Sequence, residues 1–178
     1  MDKQKMKERS LKKLNPRPYP NDKHVIIVSI SGYEVLLDKE DLDKVAATGT
    51  WRIVPNRGLY AVCTIYTKPL YTLFLHKYIL GNPQGKCVDH INLNTHDNRK
   101  KNLRICSSSQ NICNQKKRID NTSGYKGVCY KKGRNKWRAE IGIKRKRLHL
   151  GYFDTPEEAY EAYCEASKKY HGEYGRTS

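Results

Sequence analysis

Residues 88–114 read VDHINLNTHDNRKKNLRICSSSQNICN, and within that line stand a carboxylate (Asp89), an imidazole (His90) and two amides (Asn102 and Asn111). Asn102 follows the histidine by twelve positions, and Asn111 follows by nine more. A carboxylate, a base and amides at such spacings are the parts that metal-dependent cleavage of a phosphodiester requires. Each residue alone has an ordinary structural use, Asp89 capping a loop and Asn98, Asn102 and Asn111 ending turns or helices. Jointly, and beside a basic flank, they favour chemistry.

The elements that position them can be read from the same line. Cys87–His90 is short and extended, and Leu103-Arg104-Ile105 can return beside it as a second strand. Ser107-x-x-Gln110 is a capping box, so a helix begins near Ser108 and carries Asn111 in its first turns. The helix then crosses the hairpin, and Asn111 can face Asp89 and His90 across a small crevice. Adjacent residues of a regular strand point to opposite faces, so a twist or bulge is expected if Asp89 and His90 are to reach one phosphate. Upstream, Val25–Ile30 and Tyr33–Leu37 flank a Ser31-Gly32 turn, and 38–47 reads as a short acidic helix. Trp51–Val54 and Leu59–Val62 form β-runs around a turn at 55–58. Tyr71–Leu80 has helical spacing, stopped by Gly81 and Pro83. His76, inside it, reads as a hydrogen-bonded helix histidine near the core rather than a ligand. No spacing makes His96 a ligand, and it stays outside the candidate site.

A formal net charge of +17 on 178 residues points to a polyanionic partner. The charge is segregated. Residues 1–23 form a basic arm, and 125–150 carry ten Lys and Arg against one acid, whereas 151–178 carry three against six. That asymmetry favours oriented binding over mere solvation. No apolar run approaches the roughly 20 residues that span a bilayer, and the N-terminus lacks the apolar core of a signal peptide. An intracellular protein with no membrane partner is the expectation. Six cysteines contain no C-x-x-C pair, so buried or incidental thiols are expected and no structural zinc.

After residue 118 a second module begins. Tyr125–Tyr130, Lys136–Ile143 and Arg147–Gly151 read as three strands, with tight connections at 131–135 and 144–146. Thr155-Pro156-Glu157-Glu158 opens a helix with cap, first-turn proline and capping-box acid, and Gly172 ends it. Its stripe of Ala159, Tyr163, Ala166 and Tyr170 packs on the sheet, leaving the basic face open.

Val88-Asp89-His90-Ile91-Asn92, Asp97-Asn98-Arg99, Asn102-Leu103-Arg104 and Asn111 resemble the HNH endonucleases, in the manner of phage and intron-encoded homing enzymes that end the motif in asparagine where others have histidine. The 75–79 segment looks like that group too. The resemblance covers about 24–117. It implies a ββα-metal nuclease domain with Asp89 and Asn111 on a divalent ion, Mg²⁺ with Mn²⁺ possible, since a carboxylate and an amide oxygen suit a hard cation. It implies His90 as the base that takes a proton from water, and Asn102 accepting a hydrogen bond from the other imidazole nitrogen. Arg99 and Lys100 become candidate phosphate contacts.

Ser123–Val128, Trp137–Ile141, Leu150–Asp154 and Glu157–Tyr160 resemble the plant ethylene-response-factor (APETALA-type) DNA-binding domain. That family lays a three-stranded sheet in the major groove. The resemblance places Lys131, Trp137, Glu140, Arg147 and His149 at DNA-contacting positions, with sheet packing the other reading of Trp137. Charge and strand register add Arg134, Lys136, Arg138 and Lys144. Cys129 stands where the plant domains have a base-reading arginine, so their site preference does not carry over.

The expected fold is therefore α+β. A β-rich N-terminal subdomain and an HNH domain fill 24–117, a linker 118–122, and a small three-stranded antiparallel sheet on one helix fills 123–174, with an arm at 1–23 and a tail at 175–178. The expected function is a metal-dependent endonuclease on double-stranded DNA, a monomer that nicks, in the cytoplasm or nucleoid of a bacterial or phage-infected cell. The arm, Lys3 to Arg17, and the bridge Lys116-Lys117-Arg118 would add phosphate contacts that do not depend on sequence. The alternatives are a catalytically silent, sequence-specific DNA-binding regulator and an RNA-binding protein, the latter without a recognised RNA motif.

Overall fold

A computed structural model of the chain describes residues 14–18, 23–28, 32–54, 58–67 and 69–177. The chain divides into two compact units, Met1–Cys106 and Ser107–Ser178.

In the first unit, β1 (Arg17–Pro18), β2 (His24–Val28) and β3 (Glu34–Asp38) form an antiparallel sheet. Val25, Ile27, Val35 and Leu37 alternate inward along β2 and β3 and are buried, as period-two patterning demands. The expected turn between them lies largely outside the described residues. Arg17, expected to touch phosphate with the basic arm, lies in β1 and pairs with Glu34; the arm through Lys13 lies outside the described residues. A 3₁₀ turn, Lys39–Asp41, leads into α1 (Leu42–Thr48). The indole of Trp51 is buried and donates to the Val45 carbonyl at 2.9 Å, tying α1 to the next strand.

A second antiparallel sheet comprises β4 (Trp51–Val54), β5 (Tyr60–Ile65) and β6 (Tyr71–Phe74). Residues 55–57 of the turn expected there lie outside the description. The helix expected over Tyr71–Leu80 is confined to α2 (Leu75–Ile79). Its first part, Tyr71-Thr72-Leu73-Phe74, is β-branched and aromatic and pairs with Ile65 to Val62 of β5, and that pairing overrides the helical spacing. β7 (Cys87–His90) and β8 (Leu103–Cys106) then form the expected hairpin. Leu75, Ile79, Val88 and Leu103 join the same core as Ile27, Leu37 and Trp51, so the hairpin is anchored on its apolar side.

The second unit opens with α3 (Ser108–Cys113), begun by the Ser107/Gln110 capping box. β9 (Val128–Lys131), β10 (Lys136–Ile143) and β11 (Lys146–Phe153) form an antiparallel sheet in the order β11-β10-β9. α4 (Pro156–His171), with its Thr155/Glu158 capping box, packs across one face. Val128, Ala139 and Ile141 meet Ala159, Tyr163 and Ala166 there. Tyr170, expected on that stripe, is exposed, and Ser167 is the buried residue instead. Gly127 has a φ of +76°, and a Cβ there would lie 2.2 Å from Tyr163 Cδ2 and 2.7 Å from the Glu140 carbonyl oxygen, so only glycine fits. No described helix is long and apolar enough to cross a membrane.

Candidate active site and nucleic-acid interface

His90 ends β7, opposite Leu103. The residue is 4% exposed, and its ring sits in an aromatic nest, 5.1 Å from the His76 ring and 5.9 Å from the Tyr60 ring, centroid to centroid. Burial lowers the His90 pKa, against hydrogen bonding by Asn98 and the charges of Asp89 and Asp97, which raise it. His76 is pushed down to about 3, first by burial and then by His90 and Lys77. Both imidazoles are therefore neutral at physiological pH. Tyr60 is raised by burial and by the Asp89 charge.

The hydrogen bond expected between the imidazole and Asn102 is made by Asn98, whose Oδ1 lies 3.4 Å from His90 Nε2. Asn102, also buried, serves the loop. Its Oδ1 accepts from the Asn92 N–H at 3.0 Å, and its Nδ2 donates to the Asp97 carbonyl at 2.8 Å. The loop is clipped to β3 as well, where Leu36 N–H donates to the His96 carbonyl and Asn98 N–H donates to the Leu36 carbonyl, each at 2.8 Å. The N-terminal sheet thus sets the position of Asn98.

Asp89 is 4% exposed and faces Arg104 in the β7–β8 register. Arg104 donates from Nε at 2.9 Å, and its Nη2 lies 2.8 Å from the same oxygen, Asp89 Oδ2. The bulge expected between Asp89 and His90 is absent. Pairing is regular through His90, where the strand ends and the chain turns back, Ile91 N–H donating to the Asn102 carbonyl at 2.9 Å. Cys106, pushed up to about 11 chiefly by burial, is a thiol at neutral pH and a poor metal ligand. Asn111 lies in α3, within the second unit.

Two residues expected on phosphate are committed elsewhere. Arg99 grips Asp97 with Nε and Nη2, each at 2.7 Å. Burial works to raise the Asp97 carboxyl, but Arg99 and Asn92 outweigh it and hold it below the usual range. Lys100 Nζ pairs with Glu40 and with Asp41, the latter at 3.1 Å. Asp38, Glu40 and Asp41 form an acidic cluster, and that ammonium supplies its cation. Local neutralisation, which sign alone does not disclose, sets both side chains.

On the open face of the second unit, strand register gathers Lys131, Lys136, Arg138, Glu140, Arg147, His149 and Tyr152. A bulge opposite Ala139/Glu140 leaves Leu150 unpaired and turned to the core, which returns His149 and Arg147 to the outer face. Glu140 accepts Arg138 at 2.7 Å and also binds Arg147. Lys136 pairs with Asp154, and the Arg134 guanidinium lies 4.6 Å above the Tyr152 ring. Lys144 and Arg145 form the hairpin tip with φ of 47° and 65°, the left-handed pair of a two-residue turn. Trp137 takes the sheet-packing place, the second of its two readings. It alternates to the helix side and packs with Val128, Ala139 and Ala159.

A family profile described as HNH endonuclease matches residues 78–112, and one described as AP2 domain matches 123–173. Protein 3.8 of Escherichia phage T7 is 31% identical over 94 residues, 53% of this chain and 77% of that protein. The chain belongs to the HNH endonuclease family and carries a C-terminal AP2 domain. No solved structure matches it. The HNH match holds Asp89, His90, Asn98, Asn102, Arg104 and Asn111, but begins after Tyr60 and His76. Those two, with Asn98 and Arg104, are the site residues that motif reading did not assign. Asn98 and Arg104 lie inside the quoted motif and could have been found there. Tyr60 comes from a different sheet, and no local signal marks it. The AP2 match covers the basic face and leaves Lys116, Lys117 and Arg118 outside.

Proposed function

We propose that the protein is a metal-dependent DNA endonuclease of the phage or homing type, brought to its target by the AP2 sheet. The observation that carries this reading is the neutral, buried imidazole of His90, oriented by Asn98 and adjacent to Asp89 within the HNH motif. With Nε2 donating to Asn98, the basic lone pair lies on Nδ1 and can take a proton from an attacking water. Neutral His76 and Tyr60 wall that ring without adding charge.

Asp89 would hold the divalent ion in the first unit, and the Asn111 amide offers an oxygen donor of the same hard type in the second, both suiting Mg²⁺ or Mn²⁺ better than softer metals. Such an ion offsets charge developing on the scissile phosphate and leaving oxygen. Arg104 fixes the Asp89 carboxylate through Oδ2. The outer AP2 face supplies base-edge and phosphate contacts from Lys131, Arg134, Lys136, Arg138, Glu140, Lys144, Arg147 and His149. One site acts on one strand, so a monomer that nicks double-stranded DNA is the expected product pattern.

The same Asp89–Arg104 pair is what favours the second reading, a silent DNA-binding platform, because a paired buried carboxylate is stable without a metal. Plasmid cleavage separates the two. Wild type should nick supercoiled DNA with Mg²⁺ and stop with EDTA, and His90→Ala should bind but not cut. A wild type that binds DNA and cuts no plasmid carrying its bound site, at any Mg²⁺ concentration, overturns the nuclease reading in favour of the platform.

A further inference from the structure

Beside the outer sheet face lies an open cavity of about 470 Å³, whose walls include Lys116, Lys117, Arg118, Lys126, Glu140 and Arg147. All belong to the second unit. Two of its basic groups are matched internally, Arg118 with Asp120 and Arg147 with Glu140. The three lysines are not. Lys117 Nζ donates to the Gly124 carbonyl at 2.6 Å, and Lys126 Nζ donates to the Cys113 and Gln115 carbonyls at 2.7 Å each. Neutral carbonyls orient an ammonium without cancelling its charge. Among the described residues no carboxylate pairs with Lys116, Lys117 or Lys126. Lys126 is half-buried, and burial lowers its pKa, so a nearby anion would relieve a desolvated charge.

We propose that this cavity is a seat for the phosphodiester backbone of the DNA that the AP2 sheet reads, an inference that rests on the DNA-binding half of the proposed function. Continuity argues for that occupant. Glu140, Gly142 and Arg147 belong both to the cavity wall and to the outer sheet register, so a backbone strand leaving the sheet at Arg147 meets the cavity without crossing another element. Phosphate oxygens find two oriented ammonium groups there, Lys117 and Lys126, and a third, Lys116, on the same wall, with the Lys116, Lys117 and Arg118 segment lying outside the AP2 match. The seat carries no sequence information. It sets the register in which the sheet reads bases.

The test is fluorescence anisotropy of the full-length chain on a labelled mixed-sequence duplex, in EDTA, across a series of KCl concentrations. Each phosphate contact contributes about 0.9 to the log–log salt slope. The Lys116→Gln/Lys117→Gln double variant should lose about one to two units of slope and bind roughly tenfold or more weakly. Lys168→Gln/Lys169→Gln, on exposed α4 positions, removes the same charge away from the sheet and should change the slope much less. Lys116→Gln alone, at an exposed position, keeps the test open should loss of the Lys117–Gly124 bond unfold the double variant. Equal slope losses in the two double variants, or none in Lys116→Gln, overturn the seat while leaving DNA binding intact. A wild type with no affinity for the duplex overturns the DNA reading and the seat with it.

Discussion

Asn98 places its side-chain oxygen 3.4 Å from His90 Nε2 and donates its own amide to the Thr95 carbonyl at 3.1 Å, so a loop amide orients the imidazole. The Asn98 backbone is in turn held by β3 through the Leu36 carbonyl. Imidazole, loop amide and N-terminal sheet therefore form one chain of contacts.

Asn98→Ala should break that chain at the point that matters for proton transfer. The Nε2 partner is lost, the tautomer is no longer selected, and groups behind a working histidine typically contribute about 10–100-fold in activity. Single-turnover nicking should fall by that order with DNA affinity unchanged. An unaltered single-turnover rate would show that Asn98 only shapes the loop.

His76 predicts how stability responds to acid. Its folded pKa of about 3 lies below the ordinary histidine value near ~6.5, so in that window the unfolded chain binds the extra proton. Stability is full above the unfolded pKa and is lost as pH falls toward the folded one, by up to about 1.4 kcal/mol per pH unit. His90, also lowered, acts in the same direction. Replacing His76 by phenylalanine fills the space beside Tyr60 and Phe74 without a titrating nitrogen. Urea midpoints measured at several acidic pH values should fall less steeply for His76→Phe than for wild type; parallel curves would refute this account.

Glu140 sits among the cations of the outer face and holds both Arg138 and Arg147. Glu140→Gln releases two guanidinium groups toward solvent. Binding to mixed-sequence DNA should tighten, and its salt slope should steepen by about 0.9 for each arginine that reaches phosphate. Weaker binding would instead assign Glu140 a direct base contact, as an acceptor from cytosine.

How much of this was legible in the sequence depended on range. The Ser107/Gln110 and Thr155/Glu158 boxes, the β7–β8 hairpin and the helix-covered sheet rest on neighbours or on alternation, and the pattern announced them. The contacts around His90 do not. Leu36 and Asn98 meet because two distant segments share a sheet edge, and Tyr60 arrives beside His90 from another sheet. Tyr71–Phe74 misled because its apolar spacing fits a helix while its residue types fit a strand, and only the partner β5 decides. Arg99 carried a weaker signal: an aspartate two positions earlier was available to neutralise it, and does.

Lys126 offers the last prediction. α3 spans six residues, too few to persist on helix propensity, and its final carbonyls lack partners within the helix. Lys126 Nζ partners the last of them, Cys113, and also the Gln115 carbonyl two residues beyond the helix, and Arg176 N–H adds a bond to Cys113 at 3.3 Å. This is a lysine capping a helix C-terminus from outside the helix. Lys126→Met keeps much of the apolar stem and removes the donors, leaving the Cys113 carbonyl only the Arg176 bond and the Gln115 carbonyl only solvent, at a cost of about 0.5–1.5 kcal/mol. Hydrogen exchange should quicken across 108–115 while Ala139 and Ile141 of β10 stay protected, and Lys126→Arg should restore much of the protection. Unchanged exchange in α3 would mean that the capping box at Ser107 suffices to hold the helix.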